Sequence, residues 1–106
     1  MSNNNYSIKI TPKADEDLEK IYSYISRELF SKQAVESLLD KIEEKIMRLR
    51  EFPFLCNYVD DEFLGNQRYR KLIIDNYIVF YLADTQKEQV IIMRVLYGRQ
   101  KYEGLL

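Results

Sequence analysis

Residues 70–97 read Arg70-Lys-Leu-Ile-Ile-Asp-Asn-Tyr-Ile-Val-Phe-Tyr-Leu-Ala-Asp84, then Thr85-Gln-Lys-Glu-Gln-Val-Ile-Ile-Met-Arg-Val-Leu-Tyr97. Three β-rich runs, about 69–74, 77–83 and 89–97, are separated by short polar stretches. Branched and aromatic residues crowd each run, which favours strands over helices. Asp75-Asn76 fits a two-residue hairpin turn, because both side chains tolerate positive φ. Asp84 to Glu88 is short and polar, so the second connection is also antiparallel. These residues predict a three-stranded antiparallel meander.

Working back along the chain, the hydrophobic period changes from two to about 3.6. Ala14, Leu18, Ile21 and Ile25 lie four, three and four residues apart, which predicts a helix to about Leu29. Thr11-Pro12 is its start: a hydroxyl at the N-cap and proline at the first helical position. Asp15, Glu16, Asp17 and Glu19 follow, where the positive end of the helix dipole favours them. Val35, Leu38, Leu39, Ile42, Ile46 and Leu49 predict a second helix with Ser31 as N-cap. Phe52-Pro53-Phe54 closes it. The short link implies an antiparallel helix pair. Residues 6–10, Tyr-Ser-Ile-Lys-Ile, alternate as a short strand. The predicted class is α+β: a strand, an α-helical hairpin packed on one sheet face, then the meander.

On the last strand, strict alternation separates Ile91, Met93, Val95 and Tyr97 from Val90, Ile92, Arg94 and Leu96. The all-apolar set is expected against the helices. Arg94 is then expected on the opposite, open face.

The 106 residues make one domain, with 1–5 as a disordered tail. There is no histidine, which excludes Ser-His-Asp and Cys-His triads. One cysteine, Cys56, leaves neither an internal disulfide nor a zinc set, and it fits the cytoplasm. Its expected role is a small, partly buried apolar residue. No apolar run is long enough for a bilayer, and no secretory leader is visible. Glycine-rich nucleotide loops are missing. Asp60-Asp61-Glu62 reads as a solvated loop rather than a metal site. No cofactor is implied.

Charge is uneven. Residues 1–64 hold 9 Lys+Arg against 13 Asp+Glu, and residues 65–106 hold 7 against 4. The sheet-forming part is therefore the basic one. An excess this small does not indicate sequence-specific or strong non-specific DNA binding.

The ordered landmarks are Thr11-Pro12-Lys13-Ala14, Phe52-Pro53, Arg70, Tyr77-Ile-Val-Phe-Tyr81 and Arg94-Val-Leu-Tyr-Gly-Arg99. This set resembles the ParE/RelE family of small bacterial toxins over about residues 6–102. The resemblance implies a type II toxin neutralised by a cognate antitoxin. It holds two mechanisms on one fold: ParE-like members bind DNA gyrase, and RelE-like members cleave messenger RNA on the ribosome. The segment from Arg94 to Arg99 looks more ParE-like. Ile78 stands where RelE-like members often carry arginine. Gyrase is thus the expected target, with ribosome and mRNA the alternative and a non-toxic interaction module a second.

The implied target-binding residues are Arg70, Arg94, Tyr97, Arg99 and Lys101. A nuclease would instead draw on Arg94, Arg99 and Tyr102, whose cations would stabilise a pentavalent phosphate. Arg70 faces the target or pairs with a carboxylate of the preceding loop. Tyr77, Phe80 and Tyr81 are expected to pack the sheet. Phe52, Phe54, Leu55, Leu105 and Leu106 are the expected antitoxin surface.

Overall fold

The computed structural model describes residues 5–29, 32–59 and 68–98. The elements follow in chain order: β1 (Ser7–Ile10), α1 (Pro12–Leu29), α2 (Lys32–Arg48), β2 (Arg70–Ile74), β3 (Tyr77–Asp84) and β4 (Gln89–Tyr97). They match the expected strand, helical hairpin and meander. Ser31 and the acidic run 60–62 lie outside the described residues.

The sheet order is β1-β4-β3-β2. β2, β3 and β4 form the antiparallel meander, while β1 lies parallel to β4. The chain's first strand therefore flanks its last. Thr11 fastens this junction. Its N–H donates to Ile92 O at 3.1 Å, and its hydroxyl approaches Ile92 O at 3.0 Å and Met93 O at 3.1 Å. The same hydroxyl accepts from Ala14 N at 3.2 Å and so caps α1.

The main core lies between the helices and one sheet face. Ala14, Ile21, Ile25, Val35, Ile42, Ile46 and Leu49 meet Ile74, Val79, Tyr81, Val90, Ile92 and Val95. The helical stripes anticipated from spacing are thus the buried ones. A smaller cluster of Val59, Tyr69, Phe80 and Leu96 occupies the opposite face, flanked by Ile78, Leu82 and Met93.

The expected alternation of β4 fails, because a bulge interrupts it. Arg94 pairs with Phe80 and Ile92 pairs with Tyr81, so Met93 is left over between them. One extra residue reverses which side chains face which way. Val90 and Ile92 meet the helices before the bulge, and Val95 does so after it. Met93 and Leu96 belong to the opposite face. Arg94 is not on an open face; it reaches to α1.

Candidate functional site: the groove between α1 and β4

Beyond Ile10 the chain leaves the sheet for α1, so β1 covers β4 only from Gln89 to Ile92. The remaining edge of β4 faces α1 instead. Asp17 closes part of it. Its Oδ2 accepts from Arg94 Nε at 2.7 Å and from Val95 N at 3.0 Å, and its Oδ1 accepts from Arg94 Nη2 at 2.9 Å. Asp17 is buried, and the Arg94 side chain is only 12% exposed. The carboxylate raises the Arg94 pKa above its usual value, chiefly by hydrogen bonding. This two-point pair fixes α1 to the strand.

Around the pair lies a groove of about 620 Å³, lined by one stripe of α1 (Lys13, Asp17, Lys20, Ile21, Tyr24) and by Tyr77 and Arg94 to Tyr97. Tyr77 and Tyr97 meet edge to face, with ring centroids 5.7 Å apart. Burial, then the neighbouring hydroxyls of Tyr97 and Tyr24, push the Tyr77 pKa up. Tyr24 and Tyr97 are 58% and 41% exposed, so the groove offers aromatic faces to a partner.

Arg70 lies elsewhere. It pairs with Tyr81 on β3, whereas Tyr97 pairs with Tyr77. Four strand positions separate these levels, about 13 Å, and two strand spacings add about 10 Å sideways. Arg70 Nη1 donates to Cys56 O at 2.7 Å. Its guanidinium lies 4.1 Å from the Tyr58 ring centroid and 5.1 Å from that of Phe54. The carboxylates of the preceding loop, residues 60–62, lie outside the described residues. Arg70 binds the backbone carbonyl and stacks on two rings.

Arg68 donates to the Tyr58 hydroxyl at 3.4 Å. That bond, followed by the charge of Arg70, lowers the Tyr58 pKa. The Tyr81 hydroxyl is buried and donates to Pro53 O at 3.1 Å; burial, then Cys56, pushes its pKa well up. Phe80 and Tyr81 are fully buried, in keeping with their expected packing role.

The expected target-binding set is thus divided. Arg94 and Tyr97 share the groove, and Arg70 buttresses the segment after α2. Arg99, Lys101 and Tyr102 lie outside the described residues. Phe52, Phe54 and Leu55 are 51%, 50% and 63% exposed, while Leu105 and Leu106 are not described. Lys13, Lys20, Tyr24 and Asp17 were not singled out from the sequence. Asp17 carried a usable signal, since it falls three residues after Ala14 and four before Ile21, inside the buried stripe.

A second groove of about 480 Å³ lies across α1, between both helices and β1. It is lined chiefly by apolar side chains, Ile8, Ile10, Leu18, Tyr22, Leu39 and Met47 among them, with Glu19 and Glu43 present. No cluster of three or more metal-ligating side chains occurs among the described residues. Nor is any helix among them long and apolar enough to cross a membrane.

These features define a small α+β protein built around exposed grooves, with no histidine to build a nucleophilic triad. The chain belongs to the ParE toxin family of type II toxin–antitoxin systems, the parDE class, whose family model matches residues 8–102. It is accordingly a type II toxin. Among solved structures, it is similar to the chromosomal ParDE toxin–antitoxin system of P. aeruginosa, with TM-score 0.71 and 20% identity, covering 90% of this chain and 98% of that one. It is also similar to the RelBE2 toxin–antitoxin complex of Mycobacterium tuberculosis, with TM-score 0.61 and 19% identity, covering 88% and 98%. A mutant of E. coli RelE in the free state gives TM-score 0.62 and 15% identity, covering 95% and 87%. No curated protein matches. At these identities the structural likeness concerns the fold.

Proposed function

We propose that this toxin inhibits growth by binding DNA gyrase and is neutralised by a cognate antitoxin. One observation carries the choice of target. Ile78, where RelE-like cleavage would want arginine, belongs to an apolar cluster with Val59, Tyr69, Phe80, Leu82, Met93 and Leu96. An isoleucine among these apolar side chains supplies no cation there to stabilise a pentavalent phosphate. Target contact falls instead to the groove holding Arg94 and Tyr97. Arg94 is held by Asp17, so Tyr97 is the exposed member of the pair. Arg99 and Lys101, which lie outside the described residues, complete the proposed target-binding set.

The antitoxin covers apolar surface: Phe52, Phe54, Leu55, Leu105 and Leu106, together with the groove between the helices and β1. A wrapping segment that orders on binding suits such dispersed patches, at a cost of roughly 2–5 kcal/mol. Deleting the antitoxin's C-terminal half abolishes co-purification on this reading.

Ribosome-dependent mRNA cleavage is the second reading, and one feature favours it. Tyr58 lies against two guanidiniums, those of Arg68 and Arg70, beside a hollow of about 310 Å³. Cations beside a tyrosine of lowered pKa suit phosphodiester chemistry. One comparison separates the readings. The purified toxin is expected to block supercoiling by purified gyrase and to leave mRNA intact in a translating extract. Cleaved mRNA with unaffected gyrase overturns the gyrase reading.

A further inference from the structure

The register of β4 leaves part of its backbone without a partner. Gly98 N donates to Asn76 O at 2.7 Å, so Gly98 and Leu96 direct their main-chain groups toward β3. Val95 and Tyr97, one residue out of phase, direct theirs the other way, toward the α1 groove. Asp17 takes Val95 N. Val95 O and the N–H and C=O of Tyr97 have no hydrogen-bond partner among the described residues. A strand edge with one donor and two acceptors therefore forms the groove floor.

The walls restrict what fits there. The α1 stripe from Lys13 to Tyr24 spans 12 residues, about 16 Å of helix, which matches about five residues of extended chain. Lys13 and Lys20 stand along it, and Tyr24, Tyr77 and Tyr97 surround one end. The lining charges are three cations against Asp17, whose charge is already spent on Arg94. Lys20 meets Glu16 at 3.4 Å, but both side chains are well exposed, and such a pair is weak.

We propose that this groove binds an extended acidic segment of the target protein, added as a short strand to the Val95–Tyr97 edge. Its carboxylates pair with Lys13 and Lys20, and an aromatic or apolar side chain packs among Tyr24, Tyr77 and Tyr97. Free main-chain groups supply affinity, and the flanking side chains supply selectivity. The exposed edge favours a polypeptide over a nucleic acid, which has no strand backbone to pair with it. The inference builds on assigning target contact to this groove, and it adds the occupant's chemistry and the roles of Lys13, Lys20 and Tyr24.

The test uses the whole toxin and a fluorescein-labelled hexapeptide alternating glutamate with phenylalanine, read by fluorescence anisotropy. Binding is expected for this peptide and not for its lysine-for-glutamate counterpart. The Lys13→Glu/Lys20→Glu variant, checked for fold by circular dichroism, is expected to bind at least about tenfold more weakly. Tyr24→Ala is expected to weaken binding about fivefold or more with the far-ultraviolet spectrum unchanged. No binding by the wild type, equal binding by the variants, or binding of single-stranded RNA in place of the peptide overturns the proposal. A parallel supercoiling assay separates it from the choice of gyrase. Peptide binding by a toxin that leaves gyrase active keeps the groove and removes gyrase. Gyrase inhibition that survives both variants keeps gyrase and removes the groove.

Discussion

Asp17 grips Arg94 with both carboxylate oxygens, 2.7 Å from Nε and 2.9 Å from Nη2, across 77 residues of chain. An arginine that a sequence reading gives to the target is thereby a fastener inside the fold. The distinction matters for any mutational map, because losing Arg94 removes structure as well as surface.

Breaking the pair from either side is costly. Asp17→Ala strips Val95 N of its acceptor and takes the two-point carboxylate away from a largely buried guanidinium; the expected loss is about 3 kcal/mol or more. Arg94→Ala is expected to cost a similar amount. The double variant should cost less than the two singles combined. Urea unfolding of the four proteins checks this, and additive losses would refute the coupling.

Thr11→Ala removes the cap of α1 and the hydroxyl contacts to Ile92 O and Met93 O at once. A loss of about 1–2 kcal/mol is expected. Thr11→Ser keeps the oxygen and should stay close to wild type in thermal unfolding.

Arg70→Lys retains charge but loses the planar stack over Tyr58 and Phe54 and the fixed donor to Cys56 O. About 1 kcal/mol of destabilisation is expected. The far-ultraviolet spectrum should not change, since β2 itself is held by β3. A stability equal to wild type would show that the stack contributes nothing.

Tyr81 predicts a response to alkali. Its folded pKa is raised above the ordinary 10.0 by burial, and that of Tyr77 is raised in the same direction. Below about pH 10 the tyrosines are neutral in both states and stability is undiminished. Above it the unfolded chain ionises first, so stability falls as pH rises toward the folded value of Tyr81. Tyr81→Phe forfeits the bond to Pro53 O, about 1 kcal/mol at neutral pH. It should also flatten the stability loss above about pH 10, measured by urea midpoints. An unaltered alkaline slope would contradict the assignment.

Local periodicity carried most of the architecture. The stripes Ala14–Ile25 and Val35–Leu49 each mark a buried helix face, and the strand limits 77–83 and 89–97 fall within one residue of those observed. The parallel seating of β1 beside β4 is a long-range choice that no local pattern announces. The bulge at Met93 was hidden for a related reason. A run of apolar residues looks alike on either face, so nothing in Val90-Ile-Ile-Met93 reveals one residue too many. The site was less legible than the fold. Lys13, Lys20 and Tyr24 become a wall only once α1 is laid against the end of β4. Arg70 and Tyr97, both on the meander, prove to be strands apart.

The seating of β1 against β4 also sets a schedule. Thr11 and Ile92 touch although 81 residues separate them, so the sheet cannot close until nearly all described residues exist. At roughly 5–20 residues per second, synthesis leaves an interval of about 4–16 s between the two strands. Throughout it, the apolar stripes of α1 and α2 lack the strand that supplies Val90, Ile92 and Val95 to their core. A partner that reads only the helical hairpin meets its surface on the nascent chain, before a toxin exists. One that reads the edge of β4 must wait for the finished molecule.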